Sequence, residues 1–116
     1  MIKRQSAYKT ETREAMRGGP GKVTIDHFWS PGEELKANYR LFARLTLEPG
    51  AGIGFHQHDN EEEVFVVLKG QAEADDNGTK VTLEPGDTIL TGGGAGHAIT
   101  SIGKEPLVLL AVIAKY

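Results

Sequence analysis

The chain contains no cysteine, so it has no disulfide, no thiolate nucleophile and no cysteine-ligated zinc. No apolar stretch is long enough to cross a bilayer as a helix, and the N-terminus lacks the apolar segment of a secretory signal. The Gly-x-Ser-x-Gly, His-Glu-x-x-His and P-loop motifs are absent, which removes the usual signatures of serine hydrolases, zincins and nucleotide triphosphatases. A net charge of −3 gives no electrostatic case for a nucleic-acid partner. A soluble cytoplasmic protein without a membrane partner is the expectation.

Glycine, by contrast, is abundant. It fills 15 of 116 positions, about twice the usual share. Four prolines are followed directly by glycine: Pro20-Gly21, Pro31-Gly32, Pro49-Gly50 and Pro85-Gly86. Proline presets φ and glycine accepts positive φ, so each pair is a turn signal. Such punctuation excludes a helical bundle, and the lack of a three-residue glycine period excludes collagen. With 39% hydrophobic and 25% charged residues, the composition is that of a globular chain. Charge is uneven: Lys3, Arg4, Lys9, Arg13, Arg17 and Lys22 outweigh Glu11 and Glu14 at the start, and the remainder is acidic. Few serines and two glutamates argue against a transit peptide, so residues 1–21 read as an arm, either solvated or paired with a partner subunit.

From residue 22 the pattern is strand, turn, strand, giving a single domain over 22–116. Lys22–Trp29 is the first strand. In Tyr39–Leu47, Tyr39, Leu41, Ala43, Leu45 and Leu47 face one way and Arg40, Phe42, Arg44 and Thr46 the other, the period-2 pattern of a half-buried strand. Val64–Leu68, Gln71–Ala74, Lys80–Leu83, Thr88–Thr91, His97–Ile102 and Leu107–Ala114 follow, with Asn77-Gly78 suited to a type I′ hairpin. Closely spaced strands with turn signals indicate an all-β sandwich or barrel. The only helical candidate is Tyr8–Met16.

The chemistry-bearing residues are histidines. His56 and His58 lie two apart on a strand-like stretch, so both side chains leave one face and can converge on one ion. Glu63 opens the next strand, and a hairpin pairing would return it beside them. His97, after the glycine-rich stretch Gly92–Gly96, is available as a fourth ligand. Each feature has an ordinary reading too: surface histidines are common, and Glu61-Glu62-Glu63 reads alone as a solvated acidic face. Three imidazoles and a carboxylate suit Mn, Fe, Co, Ni or Zn better than Cu(I). The glycine runs Gly50-x-Gly52-x-Gly54 and Gly92-Gly93-Gly94 precede no helix, so they lack the anion site of a helix N-terminus. Arg40 and Arg44 face away from the apolar side of their strand, and His27, Phe28 and Trp29 form an aromatic cluster suited to a barrel mouth or to packing.

The spacing Gly50-(x)5-His56-x-His58-(x)4-Glu63-(x)6-Gly70, followed after fifteen residues by Gly86-(x)5-Gly92-x-Gly94-(x)2-His97-(x)3-Ser101, resembles the two motifs of the cupin superfamily. Gly92 replaces the usual proline and Ser101 the usual asparagine; neither position is a ligand in the family. The resemblance implies a double-stranded β-helix, a jelly-roll barrel with one divalent transition metal near its open end. It implies ligand roles for His56, His58, Glu63 and His97, with Glu62 as the competing carboxylate. A register argument favours Glu63, because a one-residue slip turns the carboxylate to the other face. It further implies a metalloenzyme acting on a small organic acid or carbonyl compound by decarboxylation, isomerisation or oxygenation, or alternatively a non-catalytic binder. An acid/base group near the ligands would mark the enzyme, and an apolar enclosure the binder. A homodimer formed through residues 1–25 is the implied assembly.

Overall fold

The computed structural model describes residues 1–116, and it is almost entirely β. Ten strands follow in chain order: β1 (Lys9–Glu14), β2 (Lys22–His27), β3 (Tyr39–Leu47), β4 (Gly52–Gln57), β5 (Glu61–Lys69), β6 (Ala72–Asp76), β7 (Thr79–Leu83), β8 (Thr88–Gly92), β9 (Gly96–Ser101) and β10 (Leu107–Lys115). They form a larger sheet in the order β1-β2-β3-β10-β5-β8 and a smaller one in the order β4-β9-β6-β7. All the pairings between strands are antiparallel.

The alternation in Tyr39–Leu47 fixes which side is the core. Ala43, Leu45 and Leu47 are buried, and they meet Phe65 and Val67 of β5, Leu107, Leu109 and Ala111 of β10, and Ile53, Ala72, Ala74 and Ile99 of the smaller sheet. Asn77 and Gly78 take φ of 49° and 103° between the paired residues Asp76 and Thr79. This is the two-residue hairpin that Asn-Gly announces, because a type I′ turn, with both φ positive, matches the strand twist and suits Asn-Gly.

The sheets differ on their outer faces. The smaller sheet presents Glu73 opposite Thr82 and Asp75 opposite Lys80. The larger one presents a row of Phe42, Val112, Val64 and Leu90, each directly opposite the next, beside Leu110 opposite Val66. This stretch of its outer side is therefore apolar, with Arg44 opposite Leu110 and Glu62 opposite Ala114 alongside it, whereas an antiparallel sheet usually turns polar residues outward.

Two expectations are corrected. Tyr8–Met16 is not helical: Lys9–Glu14 is a strand, paired with β2 from Lys9 opposite His27 to Glu14 opposite Lys22. All six of its side chains are exposed, so a helix there would have no apolar stripe to bury. As a strand it satisfies the edge of β2, and Thr10 donates a 2.6 Å hydrogen bond to Asp26. Nor do the strands carrying His56 and Glu63 form a hairpin. β4 pairs with β9 in the smaller sheet, and β5 lies between β10 and β8 in the larger one, so the short connection His58-Asp59-Asn60 crosses between sheets.

Candidate metal centre

His56 lies near the end of β4, directly opposite His97 on β9, so the two imidazoles start as cross-strand neighbours. His58 follows the strand and is clamped to the glycine-rich loop: its N–H donates to Ala95 O (3.0 Å), and its carbonyl accepts from Gly94 N (2.9 Å). Glu63 reaches in from β5 of the facing sheet. His58, Glu63 and His97 are buried, and Phe65 stacks flat on His97 with centroids 4.9 Å apart.

The ligand atoms of His56, His58, Glu63 and His97 all lie within 4.8 Å of one another. Glu63 Oε1 is 3.0 Å from Nε2 of both His58 and His97. The Nε2 atoms of His58 and His97 are 3.0 Å apart, and those of His97 and His56 are 3.3 Å apart. Glu62, one residue away, is exposed on the outer face.

Proton bookkeeping shows why this cluster suits a cation. Nδ1 of His56 is 2.7 Å from the carbonyl of Gly54, which can only accept, so Nδ1 carries the hydrogen and Nε2 of the neutral ring offers a lone pair. Nδ1 of His58 is 2.5 Å from Glu61 Oε2 and donates to it, so in the neutral ring its Nε2 is likewise a lone pair, and only the protonated ring can donate to Glu63. With the Glu63 carboxylate added, at least three acceptors face one another, and His97 can supply one proton at most. A positive ion satisfies all of them. Ligands at right angles about 2.1 Å from one ion are separated by about 3.0 Å, the spacing found among Glu63, His58 and His97. A buried histidine and glutamate group of this kind can bind a metal.

The titration behaviour follows from the same contacts. Hydrogen bonding to Glu63, reinforced by Glu61, holds His58 above the ordinary histidine value, while burial pushes His56 below it. Burial pushes the Glu63 carboxyl upward, but hydrogen bonds from His58 and His97 outweigh that and leave it lowered. Glu61 falls to about 2, chiefly through its hydrogen bond with Arg40 and then with His58.

Glu61 is the functional residue that sequence reading passed over as part of an acidic run. Arg40 donates Nε and Nη2 to its two oxygens at 2.8 and 2.7 Å. An Arg40–Glu61–His58 chain thus fixes the tautomer of one imidazole of the cluster. The available signal was His58 itself, whose second ring nitrogen needs a partner and has a carboxylate three residues on. Arg44, by contrast, pairs with Asp26. Phe28 packs edge-on against Tyr8, Lys3 sits over Trp29, and His27 lines the cavity at the mouth.

That cavity, of about 480 Å³, is lined by His56 and Glu63, walled by Ile25, Leu45, Ile53, Phe65 and Ile113, and rimmed by Glu11, Arg13, Glu14, Arg17 and Arg40. No helix is long and apolar enough to cross a membrane.

Comparison with known proteins agrees with this architecture. The family profile described as "Cupin domain" matches residues 43–113. An oxalate-binding protein of Thermotoga maritima is 39% identical over 113 residues, 97% of this chain and 93% of that protein. A crystal structure from the same organism, described as a predicted oxalate decarboxylase, superposes with a TM-score of 0.94 at 37% identity and covers both chains completely. The oxalate decarboxylase OxdC of Bacillus subtilis is 28% identical over 111 residues, 90% of this chain but 28% of its own length. A profile spanning well over half of the residues, a jelly-roll pair of sheets and the convergent histidines agree, and the chain belongs to the cupin family.

Proposed function

We propose that this cupin binds oxalate, or an equally small organic acid, at one divalent transition metal held by His56, His58, Glu63 and His97, the ion being Mn, Fe, Co, Ni or Zn. The observation that carries the reading is the meeting of three Nε2 atoms and Glu63 Oε1 within 4.8 Å, two of these residues lining a cavity large enough for a small acid. When bound, the ion supplies Lewis-acid charge for a chelating carboxylate. The chain orients the imidazoles through Gly54 and Glu61, keeps water from the ligands with Phe65 and the aliphatic wall, and gathers anions with the rim arginines.

Holding the acid is favoured over cleaving it. Apart from His56 and Glu63, the acid/base side chains lining the cavity are Glu11, Glu14 and His27, and each is engaged with another charged group: Glu11 with Arg13 and His27, and Glu14 with Lys22. Decarboxylation is the second reading, supported by Glu11 and Glu14 on the rim of the same cavity and by the decarboxylase named among the relatives. The test is elemental analysis of protein purified without chelators, followed by oxalate titration and an assay for formate. One metal per chain and saturable oxalate binding without formate support the proposal. Formate release supports the second reading, and protein that is metal-free and cannot be loaded refutes both.

We further propose a cytoplasmic homodimer, with residues 1–21 as an arm on the barrel of 22–116. The N-terminal segment 1–25 and the apolar row on the outer face of the larger sheet are the two surfaces available for it, and the exposed Leu90 beside the half-buried Val64, Val112 and Phe42 supports the second. Light scattering of the wild type, a Leu90→Glu variant and a chain lacking 1–25 distinguishes them, since only loss of the true interface halves the mass.

A further inference from the structure

The charged groups around the cavity are nearly all accounted for by one another. Arg13 Nη2 is 2.8 Å from Glu11, and Glu11 also faces His27 at 3.5 Å. Glu14 pairs with Lys22 at 3.5 Å, and Arg40 is bound through two nitrogens to Glu61. Among the three cavity-lining arginines, Arg17 alone has no carboxylate partner and no hydrogen bond.

Its backbone is held in place at a cost. Arg17 sits in the 3-10 turn Met16–Gly18 between β1 and β2, and both Ala15 and Arg17 have left-handed φ, 50° and 53°. Side-chain-bearing residues keep such conformations only where the surroundings impose them. Here the turn is pressed onto β4. A Cβ on Gly54 would stand 2.0 Å from the carbonyl oxygen of Arg17, and one on Gly19 would stand 2.3 Å from that of Gly52. Gly52 N also donates to Pro20 O at 2.8 Å. Gly52 and Gly54 are thus a backbone bed for this turn, and Gly54, whose carbonyl orients His56, also seats the segment carrying Arg17.

We infer that Arg17 is the recognition residue for a dianionic ligand, pairing with the carboxylate charge that the metal centre leaves unbalanced. This deepens the proposed function and rests on it. Three neutral imidazoles, one carboxylate and a divalent ion leave a single positive charge. A monoanion neutralises that charge unaided, whereas a dianion brings one negative charge too many into a cavity with an apolar wall, where an uncompensated charge is costly. Arg17 is the unpaired cation positioned to offset it, and its planar guanidinium suits a carboxylate. It selects dianions over monoanions of the same shape.

The test uses protein loaded with Mn²⁺ and titrated calorimetrically with oxalate and with oxamate, its near-isosteric monoanion. Arg17→Gln should weaken oxalate binding by about tenfold, the lower end for a charged hydrogen bond, leave oxamate within about twofold, and retain one Mn²⁺ per chain. Arg17→Lys should keep most of the oxalate affinity. Arg17→Gly, which relieves the left-handed strain, should melt no lower than wild type yet lose oxalate like the glutamine variant, separating recognition from folding. Oxalate affinity unchanged in Arg17→Gln, or equal losses for both anions, overturns the inference while leaving the proposed function standing. Wild-type protein that takes up Mn²⁺ but binds neither anion overturns both.

Discussion

Replacing Glu61 with glutamine tests whether the residue next to the ligands, not only the ligands, sets metal affinity. Both carboxylate oxygens are in use: Oε1 accepts from Arg40 Nε, and Oε2 accepts from Arg40 Nη2 and from His58 Nδ1. An amide has one acceptor oxygen, so glutamine must abandon either Arg40 or His58, and its NH2 then faces another donor. Charged hydrogen bonds contribute roughly 1.5–3 kcal/mol and neutral ones roughly 1 kcal/mol. The difference, about 0.5–2 kcal/mol, corresponds to roughly a two- to thirtyfold loss, whose upper part overlaps the range for residues that orient metal-bound histidines. Competition between the protein and a chelator for Co²⁺ or Mn²⁺ at pH 8 measures it, with the exposed, outward-facing Glu62→Gln as control.

The pH dependence adds a sign. His58 is held above the ordinary histidine value, and the ion must displace that proton, so affinity falls as pH drops through the raised value. Removing the Glu61 charge lowers that value, so the variant suffers less proton competition in acid. Its deficit should therefore be larger at pH 8 than at pH 6. Affinity within about twofold of wild type at pH 8, or a deficit that grows in acid, refutes the positioning role.

Three further outcomes follow from the same contacts. His56→Ala and His97→Ala should each abolish stoichiometric metal in elemental analysis while leaving the far-ultraviolet circular dichroism β-like; full retention of the ion by either removes that residue from the ligand set. Gly54→Ala drives a methyl to 2.0 Å from the Arg17 carbonyl and should cost about 3 kcal/mol, a fall of roughly 12 °C at about 4 °C per kcal/mol; an unchanged melting temperature disproves the close seating of the turn. Glu61, lowered to about 2, contributes stability that is present above the unfolded carboxylate value and lost as pH falls toward 2. The acid limb of metal-free protein should accordingly flatten in Glu61→Gln, as read by thermal melts between pH 5 and 2.

Much of the fold was legible because its signals are local. Tyr39–Leu47 was bounded correctly by alternation and by Pro49-Gly50, and Asn77-Gly78 by turn chemistry. The N-terminal strand was not legible, since Lys9–Glu14 buries nothing and exists only because β2 offers an unpaired edge. That is a tertiary cause with no trace in the periodicity of the segment. The facing of His56 and His58 was likewise local, following from the two-residue pleat. The identity of the sheet supplying Glu63 was not, because the same four-residue gap serves a hairpin return and a crossing between sheets.

The choice between Glu62 and Glu63 shows where hydrophobic patterning stops being informative. In most half-buried strands a one-residue slip exposes the apolar set, so burial alone fixes register. In β5 it does not, because Val64, Val66 and Leu68 on one face are as apolar as Phe65 and Val67 on the other. Either register could bury an aliphatic face against the core. What separates them is shape and polarity at the site. In the observed register Phe65 stacks on His97 and Glu63 meets two imidazole nitrogens at 3.0 Å; the slipped register would seat Val64 against that ring, where it cannot stack. It would also turn Glu63 outward beside the apolar row of the larger sheet. The carboxylate facing the histidines and the apolar outer row are thus two consequences of one register, fixed by the histidines on the opposite sheet and not by the strand's own hydrophobicity.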